Sequence, residues 1–203
     1  MATVDQIQSR VAGFTDQDEA VANVEASDYS LRLNYINRRE RTWSETGKWQ
    51  SLVKEYNTLT STISGNCSIS LPSDFRSTAI IPRITYDGTT AIDFQEIRPQ
   101  DEVNFDPITS HYVKIMGNPA NGYTMVVNSP TTSRQLVSGA SIKIIYYSTP
   151  ASLVSPADIV TCPNPEYLVQ GVIADVWESK EDPRYQQAKV EANLILQNML
   201  EFE

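Results

Sequence analysis

The spacing of apolar residues along this chain changes twice, and that change restricts the possible fold more than any other feature. Near both ends the apolar residues recur every three or four positions, which is the period of an amphipathic helix. In the middle they alternate with polar residues, which is the period of a half-buried strand. The sequence therefore predicts an α+β protein with N-terminal helices, a central antiparallel β module and a C-terminal helical pair.

This pattern divides the chain into three regions. Residues 1–49 are predicted to be helical, residues 50–160 to form a β-rich wedge module, and residues 161–203 to be helical again. The β module is expected to be a small sandwich or a barrel-like fold with about six to eight strands. Because no stretch rich in proline, glycine and serine separates the regions, we expect the helical parts to pack together as one domain.

Helix signals occur at two places in the N-terminal region. Thr3 and Asp5 are both suited to cap a first helix, which Gly13 would end. A second start near Thr15 is followed by two apolar stripes, one of which contains Leu31 and Tyr35. A helix that is apolar on two faces is usually packed on two sides. The run is either one long helix or two helices with a break.

Turn signals separate the strand patterns of the central region. Cys67, Ile69 and Leu71 alternate with serines, as in a half-buried strand. Residues 118–122, Asn-Pro-Ala-Asn-Gly, join two strand patterns and predict a hairpin. Residues 141–148 are apolar nearly throughout, which predicts a central strand.

The strongest periodic signal lies in the last helix. Pro165 is suited to the first turn of one helix, and Asp182 with Pro183 is suited to cap and start the next. The last helix then carries a seam of residues at steps of three and four: Tyr185, Ala188, Ala192, Ile195, Met199 and Phe202. Such a seam requires a partner helix, and we expect it to pack on residues 166–179. Leucines beside the seam predict surplus apolar surface.

The charge balance disfavours conventional nucleic-acid binding. The chain has 16 basic and 25 acidic residues, a net charge of -9, and it repels phosphate backbones as a whole. Its one basic cluster contains Arg38, Arg39 and Arg41, of which the first and last share a helix face. The cluster is either a solvated face paired with glutamates or a contact for an acidic partner or DNA phosphates. No secretory signal is visible and no stretch of about 18 apolar residues is present, so no membrane span is expected.

Signals for enzymatic chemistry are sparse, so we predict that the protein is not an enzyme and needs no metal or cofactor. His111 is the single histidine and lies at the entrance to a predicted strand. No nucleophile elbow, phosphate loop or calcium loop is present, and the carboxylates near residue 102 lack the spacing that would converge on one ion. Cys67 and Cys162 are expected to be buried free thiols, with a single bridge as the alternative.

One stretch resembles a known group of proteins. It runs from Trp49 through Tyr-Asn-Thr-Leu-Thr at 56–60 and Gly65-Asn66 to Leu-Pro-Ser-Asp-Phe at 71–75. This stretch resembles the head-to-tail adaptor and head-completion proteins of tailed bacteriophages, including the tail tubular proteins of short-tailed phages. The order of helices, β wedge and proline-initiated helices is similar over nearly the whole chain.

The resemblance implies a structural virion protein. Such an adaptor forms a closed ring, typically of about twelve copies, that docks on the portal, extends the DNA channel and provides the platform for the tail. Its partners would be the portal, neighbouring copies of itself, a downstream tail or stopper protein, and double-stranded DNA that passes without sequence recognition. It would be made in the host cytoplasm and lie in the neck of the virion.

The resemblance supplies no catalytic motif, so the candidate residues are interface residues. We expect the portal or subunit interface to involve the seam of the last helix, with Arg38, Arg39 and Arg41 as further candidates. The alternative hypothesis is a tail-associated β module that recognises a glycan or a protein. In that case exposed tyrosines would stack on the ligand: Tyr112, Tyr123, Tyr146 and Tyr147.

Overall fold

A computed structural model describes residues 2–15, 27–59, 67–85, 91–128 and 139–202. The order of helices, strands and helices confirms the predicted α+β class. The chain divides into two compact units, which we call the helical unit (Met1–Leu52 with Pro150–Glu203) and the β unit (Val53–Thr149).

Four α-helices of the helical unit lie in the described residues: α1 (Val4–Thr15), α2 (Ser27–Thr46), α3 (Pro165–Ser179) and α4 (Tyr185–Glu201). Helix α3 is the centre of this unit, since α1, α2 and α4 all contact it and most of its side chains are buried. Within the described residues, no helix combines the length and the apolar character needed to cross a lipid bilayer.

The start of α1 has one of the two predicted caps, Thr3, whereas Asp5 lies inside the first turn. The Thr3 hydroxyl accepts a hydrogen bond from the Gln6 backbone N–H, and the Gln6 side chain accepts one from the Thr3 N–H. This reciprocal pair is a capping box. The predicted end at Gly13 is wrong, because α1 continues to Thr15. The second helix start was predicted near residues 15 and 16, and residue 16 lies outside the described residues. The structure describes α2 from Ser27 onward.

The starts of the C-terminal helices follow their capping chemistry. The Asn164 side chain caps α3 by accepting a hydrogen bond from the Glu166 N–H at 3.1 Å. The prediction that Asp182 caps the last helix is wrong by two residues, since α4 begins at Tyr185. The Asp182 carboxylate still accepts a hydrogen bond from the Arg184 N–H at 2.9 Å, so it initiates the turn that leads into the helix.

Eight strands form two sheets in the described part of the β unit: β1 (Val53–Leu59), β2 (Cys67–Ser70), β3 (Phe75–Thr85), β4 (Ala91–Asp93), β5 (Gln95–Ile97), β6 (Tyr112–Asn118), β7 (Gly122–Asn128) and β8 (Ser141–Ser148). One sheet has the order β1-β8-β3-β4 and the other β2-β7-β6-β5. Among the described pairs, only β5 with β6 is parallel. The predicted central position of residues 141–148 is confirmed, because β8 lies between β1 and β3.

Both sheets contribute to one apolar core. Ile69 and Met125 enter it from one sheet, and Phe75, Ile142 and Ile144 enter it from the other. The sheets therefore pack over a shared core, and the described strands do not close into a barrel. Of the two predicted forms of the β module, the barrel-like one is wrong.

The predicted hairpin at residues 118–122 is confirmed. Strands β6 and β7 pair across it, from Tyr112 opposite Asn128 to Asn118 opposite Gly122. The Asn118 side chain accepts hydrogen bonds from two backbone N–H groups of the turn. Gly122 has a φ of 81°, a conformation that L side chains rarely adopt.

Candidate functional site

The seam of α4 is only partly available for an interface. Ala188 and Ala192 are buried, and α4 packs along α3, which confirms the predicted helical hairpin. Their small side chains let the two helices approach closely. Tyr185, Ile195 and Met199 are half-buried. The structure therefore places the first part of the seam inside the helical unit and leaves its last part near the surface.

The last part of the seam borders an apolar groove at the end of α4. The groove has a volume of about 380 Å³ and is lined by Trp49, Pro163, Asn164, Ile195, Asn198, Met199 and Phe202. Phe202 is 90% exposed. The floor of the groove is held in place, because the Trp49 indole donates a hydrogen bond of 2.7 Å to the Trp43 carbonyl. The two indole rings lie 5.2 Å apart, and both are fully buried.

A second face of α4 is also uncovered by the described chain. Val190 is 67% exposed and Leu194 is 56% exposed, one helical turn further on. Leu200 is 43% exposed too, but it lies on another side of α4, next to Gly47. The predicted surplus of apolar surface on this helix is therefore confirmed. Isolated exposed apolar side chains are common, whereas Val190 and Leu194 are neighbours on one helix face.

The three candidate arginines of α2 lie in different surroundings. Arg39 forms a bidentate ion pair with Asp175 of α3, with Nε at 2.9 Å from Oδ2 and a terminal nitrogen at 2.5 Å from Oδ1. The Asp175 side chain is only 1% exposed. Arg39 can cross α3 here because Gly171 has no side chain; a Cβ at that position would lie 3.0 Å from the Arg39 Cδ. Arg39 thus links α2 to α3.

Arg38 and Arg41 face outward. Arg38 reaches the same Asp175 oxygen at 2.5 Å, but its side chain is 57% exposed and its guanidinium also stacks on the Tyr35 ring. Arg41 is exposed, and it forms no ion pair within the described residues. Two of the three candidates are therefore placed where a partner can contact them.

Two polar residues of α2 that sequence reasoning did not single out hold the segment between β8 and α3. The Asn37 amide donates to the Leu153 carbonyl at 2.9 Å and accepts from the Leu153 N–H at 2.8 Å. One turn on, the Glu40 carboxylate accepts hydrogen bonds from the N–H groups of Thr161 and Cys162. The sequence does contain a signal for Glu40. Residues 29, 33, 36, 40 and 43 form one helical stripe, and position 40 is a glutamate among apolar residues.

Glu40 is the most unusual ionisable group of the helical unit. The residue is 1% exposed, and within the described chain no group donates to its second carboxylate oxygen. Burial raises the pKa of this carboxyl, although the two backbone N–H groups act in the opposite direction. The role of this residue is to hold the chain that enters α3.

In the β unit, the Leu-Pro-Ser-Asp-Phe segment has a structural role. Leu71 and Phe75 are buried in the core, while Asp74 accepts hydrogen bonds from Tyr146 at 2.9 Å and from Lys54 at 2.6 Å. Burial, together with the hydrogen bond to Asp74, raises the pKa of Tyr146 to about 12. This segment therefore joins three strands.

The tyrosines of the glycan-binding hypothesis do not form an exposed surface. Tyr112, Tyr146 and Tyr147 are buried, and Tyr123 is half-buried. The Tyr112 hydroxyl donates to Glu102 at 3.0 Å. A sugar that stacks on an aromatic ring needs a solvent-exposed ring face. The rings of these tyrosines are covered by other parts of the protein instead.

Within the part of the chain that the structure describes, the remaining ionisable groups do not assemble into a reactive site. His111 packs edge-on against the Phe94 ring at 5.2 Å. The carboxylates near residue 102 serve local contacts, as when Asp106 accepts from the Ile108 N–H. Cys67 and Cys162 are both buried and free, as predicted. The described residues contain no group of three or more potential metal ligands.

Comparison with known proteins gives one family match. The model of a family described as SU10 adaptor protein matches residues 2–201, which is nearly the whole chain. No curated protein matches the sequence.

Proposed function

Because this chain belongs to the SU10 adaptor protein family, we propose that it is a ring-forming head-to-tail adaptor of a virion. The match over residues 2–201 carries this proposal, since it includes both the helical unit and the β unit. Adaptor proteins act by assembly rather than by catalysis. In the proposed role the ring, of about twelve copies, docks on the portal, extends the DNA channel and provides the attachment platform for a tail or stopper protein.

The groove at the end of α4 supports the portal contact. A mostly apolar groove with an almost fully exposed phenylalanine at its border has the composition of an interface core. The buried Trp43–Trp49 pair keeps the groove in shape before the partner arrives, which lowers the entropy cost of docking. We propose that Phe202, Ile195 and Met199 contact the portal.

The net charge of -9 supports a passive role toward DNA. Non-specific DNA binding depends on cations that displace the counterions of the phosphates. A wall of acidic protein offers few such cations, so DNA can move through the channel without being held. The neck of the virion is the proposed location of the protein, which would be made in the host cytoplasm.

The first experiment measures molar mass by light scattering during size-exclusion chromatography. The chain is analysed alone and after mixing with the portal of the same virus. A mass of about twelve subunits, alone or only with the portal, is the expected result. A protein that remains monomeric and does not bind the portal would contradict the proposed function.

A single substitution tests the groove. Phe202→Ser is expected to weaken portal binding by at least about tenfold, because aromatic residues at interface centres often contribute about 2 kcal/mol or more. The matched control is Val103→Ser, which removes an 85% exposed apolar side chain from the β unit. Equal portal affinity of both variants and the wild type would exclude the groove as the docking site.

A further inference from the structure

The outer face of α2 is an apolar stripe that the described chain covers only in part. Its inner stripe, with Tyr29, Ile36 and Trp43, is fully buried. The second stripe contains Leu31 and Tyr35, which are half-buried. A half-covered apolar stripe next to a fully covered one indicates a helix with room for a second partner.

Positive charge follows this stripe along the helix. Asp175 is already bound by both nitrogens of the Arg39 fork, so the contact of Arg38 with the same carboxylate adds a second cation to one anion. Arg41 is exposed and has no ion-pair partner in the described residues. The face we call the α2 outer face (Leu31, Tyr35, Arg38 and Arg41) thus carries excess positive charge on an acidic chain, even when the exposed Glu45, one turn beyond Arg41, is counted.

One face of α4 is also apolar, but its charge is negative. Val190 and Leu194 are exposed apolar residues, and Glu201 is an exposed carboxylate without an ion-pair partner in the described residues. Lys189, a nearby cation, is paired with Glu178 at 3.7 Å. The face we call the α4 outer face (Val190, Leu194 and Glu201) is therefore apolar with an excess of negative charge.

The spacing of the two faces matches. Leu31 and Tyr35 are four residues apart, as are Val190 and Leu194. Glu201 follows Leu194 by seven residues, and Arg38 and Arg41 follow Tyr35 by three and six. At about 1.5 Å per residue, two parallel helices with the apolar pairs aligned would bring this carboxylate within reach of both guanidinium groups.

The two faces also lie on different sides of the helical unit. Helix α2 meets α3 at Gly171 and Asp175 through Arg39. Helix α4 borders α3 at Ile173 and Trp177, which face Ala188 and its neighbours. One copy can therefore offer both faces at once, which a head-to-tail contact in a closed ring requires.

From these observations we infer that the α2 outer face of one copy binds the α4 outer face of the next copy. The inference rests on the proposed ring and identifies the surfaces that would build it. The portal groove stays free, because Ile195, Met199 and Phe202 point to another side of α4 than Val190 and Leu194. Each contact would combine an apolar strip with a carboxylate between two arginines.

A protein partner suits the α2 outer face better than DNA does. Two arginines displace only about two counterions, which is too few to hold DNA against a net charge of -9 at physiological salt. A carboxylate beside an apolar strip offers both bidentate hydrogen bonds and apolar contact. Both components are present on the α4 outer face of the same chain.

Charge reversal tests the inference. Arg41→Glu and Glu201→Arg are each expected to weaken assembly by at least about tenfold, because each places like charges opposite one another. The double variant restores opposite charges between positions 41 and 201, while Arg38 still faces the new arginine. It is therefore expected to assemble at least about threefold better than either single variant. Assembly is followed by sedimentation over a range of concentrations, with and without the portal. Raising the salt from about 0.05 M to about 0.5 M is expected to weaken wild-type assembly.

Lys48→Glu is the matched control, because Lys48 is exposed and the same charge change is made outside both faces. Normal assembly of both single variants would overturn the inference while the proposed adaptor role stands. Loss of portal binding alone in Glu201→Arg would overturn it and assign the α4 outer face to the portal. An Arg41→Glu variant that assembles normally but no longer binds a mixed-sequence DNA duplex would overturn it in favour of DNA. A wild type that stays monomeric with the portal would overturn both proposals.

Discussion

Three neighbouring residues of α2 hold three different parts of the helical unit. Asn37 binds the backbone of Leu153, Arg39 binds Asp175, and Glu40 binds the backbone ahead of α3. Each is a polar group in a largely buried position, where loss of one partner leaves the other without a hydrogen bond. The entry of the chain into α3 therefore depends on side chains more than 100 residues away in sequence.

The buried Glu40 is expected to make the stability of the helical unit fall as the pH rises. Because its pKa is raised in the folded state, its contribution to stability is fully present below the pKa of the unfolded chain. That contribution is lost as the pH rises through the folded pKa. The stability of the wild type relative to Glu40→Gln is therefore expected to be greater at pH 4.5 than at pH 7.

Urea unfolding of both proteins at the two pH values measures this difference. The glutamine keeps an oxygen that can accept from the Thr161 and Cys162 N–H groups, but it does not titrate. Glu45→Gln is a suitable control, since Glu45 is an exposed carboxylate of the same helix. If the difference in unfolding free energy between wild type and Glu40→Gln is the same at both pH values, burial does not raise the pKa of Glu40.

At the level of elements, the contact between α2 and α3 depends on the absence of a side chain. The Arg39 stem crosses α3 at Gly171, and its head is held by the buried Asp175. A glycine inside a helix usually costs about 1 kcal/mol relative to alanine. Here that cost is offset by the ion pair that the glycine permits.

We therefore expect Gly171→Ala to destabilise the protein by about 1–3 kcal/mol, against the usual preference for alanine. The new Cβ would lie 3.0 Å from the Arg39 Cδ and would move the guanidinium away from Asp175. Urea unfolding measures the change. Gly13→Ala in α1 is the control, because Gly13 is exposed and its replacement is expected to gain up to about 1 kcal/mol. A stabilising Gly171→Ala would contradict this account of the contact.

At the level of the whole molecule, the β unit is an uninterrupted stretch of chain, whereas the helical unit is assembled from both ends. In the described residues, the buried core cluster of the β unit runs from Cys67 to Tyr146, and Tyr56 of the same unit packs against it. All the described partners of its strands also lie within the unit. A stretch with its own core and its own sheets meets the requirements for independent folding.

A fragment of residues 53–149 is therefore expected to fold alone. Its circular dichroism should show β structure that is lost in one cooperative urea transition. Val113→Asp in the same fragment is the control, since it places a charge in the core and should abolish the transition. A fragment without a cooperative transition would show that the β unit needs the helices to fold.

The α+β class, the hairpin at residues 118–122, the central strand and the pairing of the last two helices all follow from the amino-acid sequence alone. So does the acidic character of the chain. These features depend on local chemistry: the apolar period, a capping or turn residue, and the sum of charges. They can be derived from neighbours within a few positions, and the structure has them nearly where they were expected.

Which members of a periodic pattern are covered depends instead on how the chain packs in three dimensions. The seam of α4 is uniform in sequence, yet Ala188 is buried and Phe202 is 90% exposed. The arginine candidates of α2 differ in the same way. Arg39 crosses α3 at Gly171 and is largely covered, whereas Arg38 reaches the same Asp175 but stays 57% exposed. Burial depends on contacts between residues that are far apart along the chain, such as the 136 positions between Arg39 and Asp175. A period shows which residues share a face, but only the packed fold shows what lies against that face.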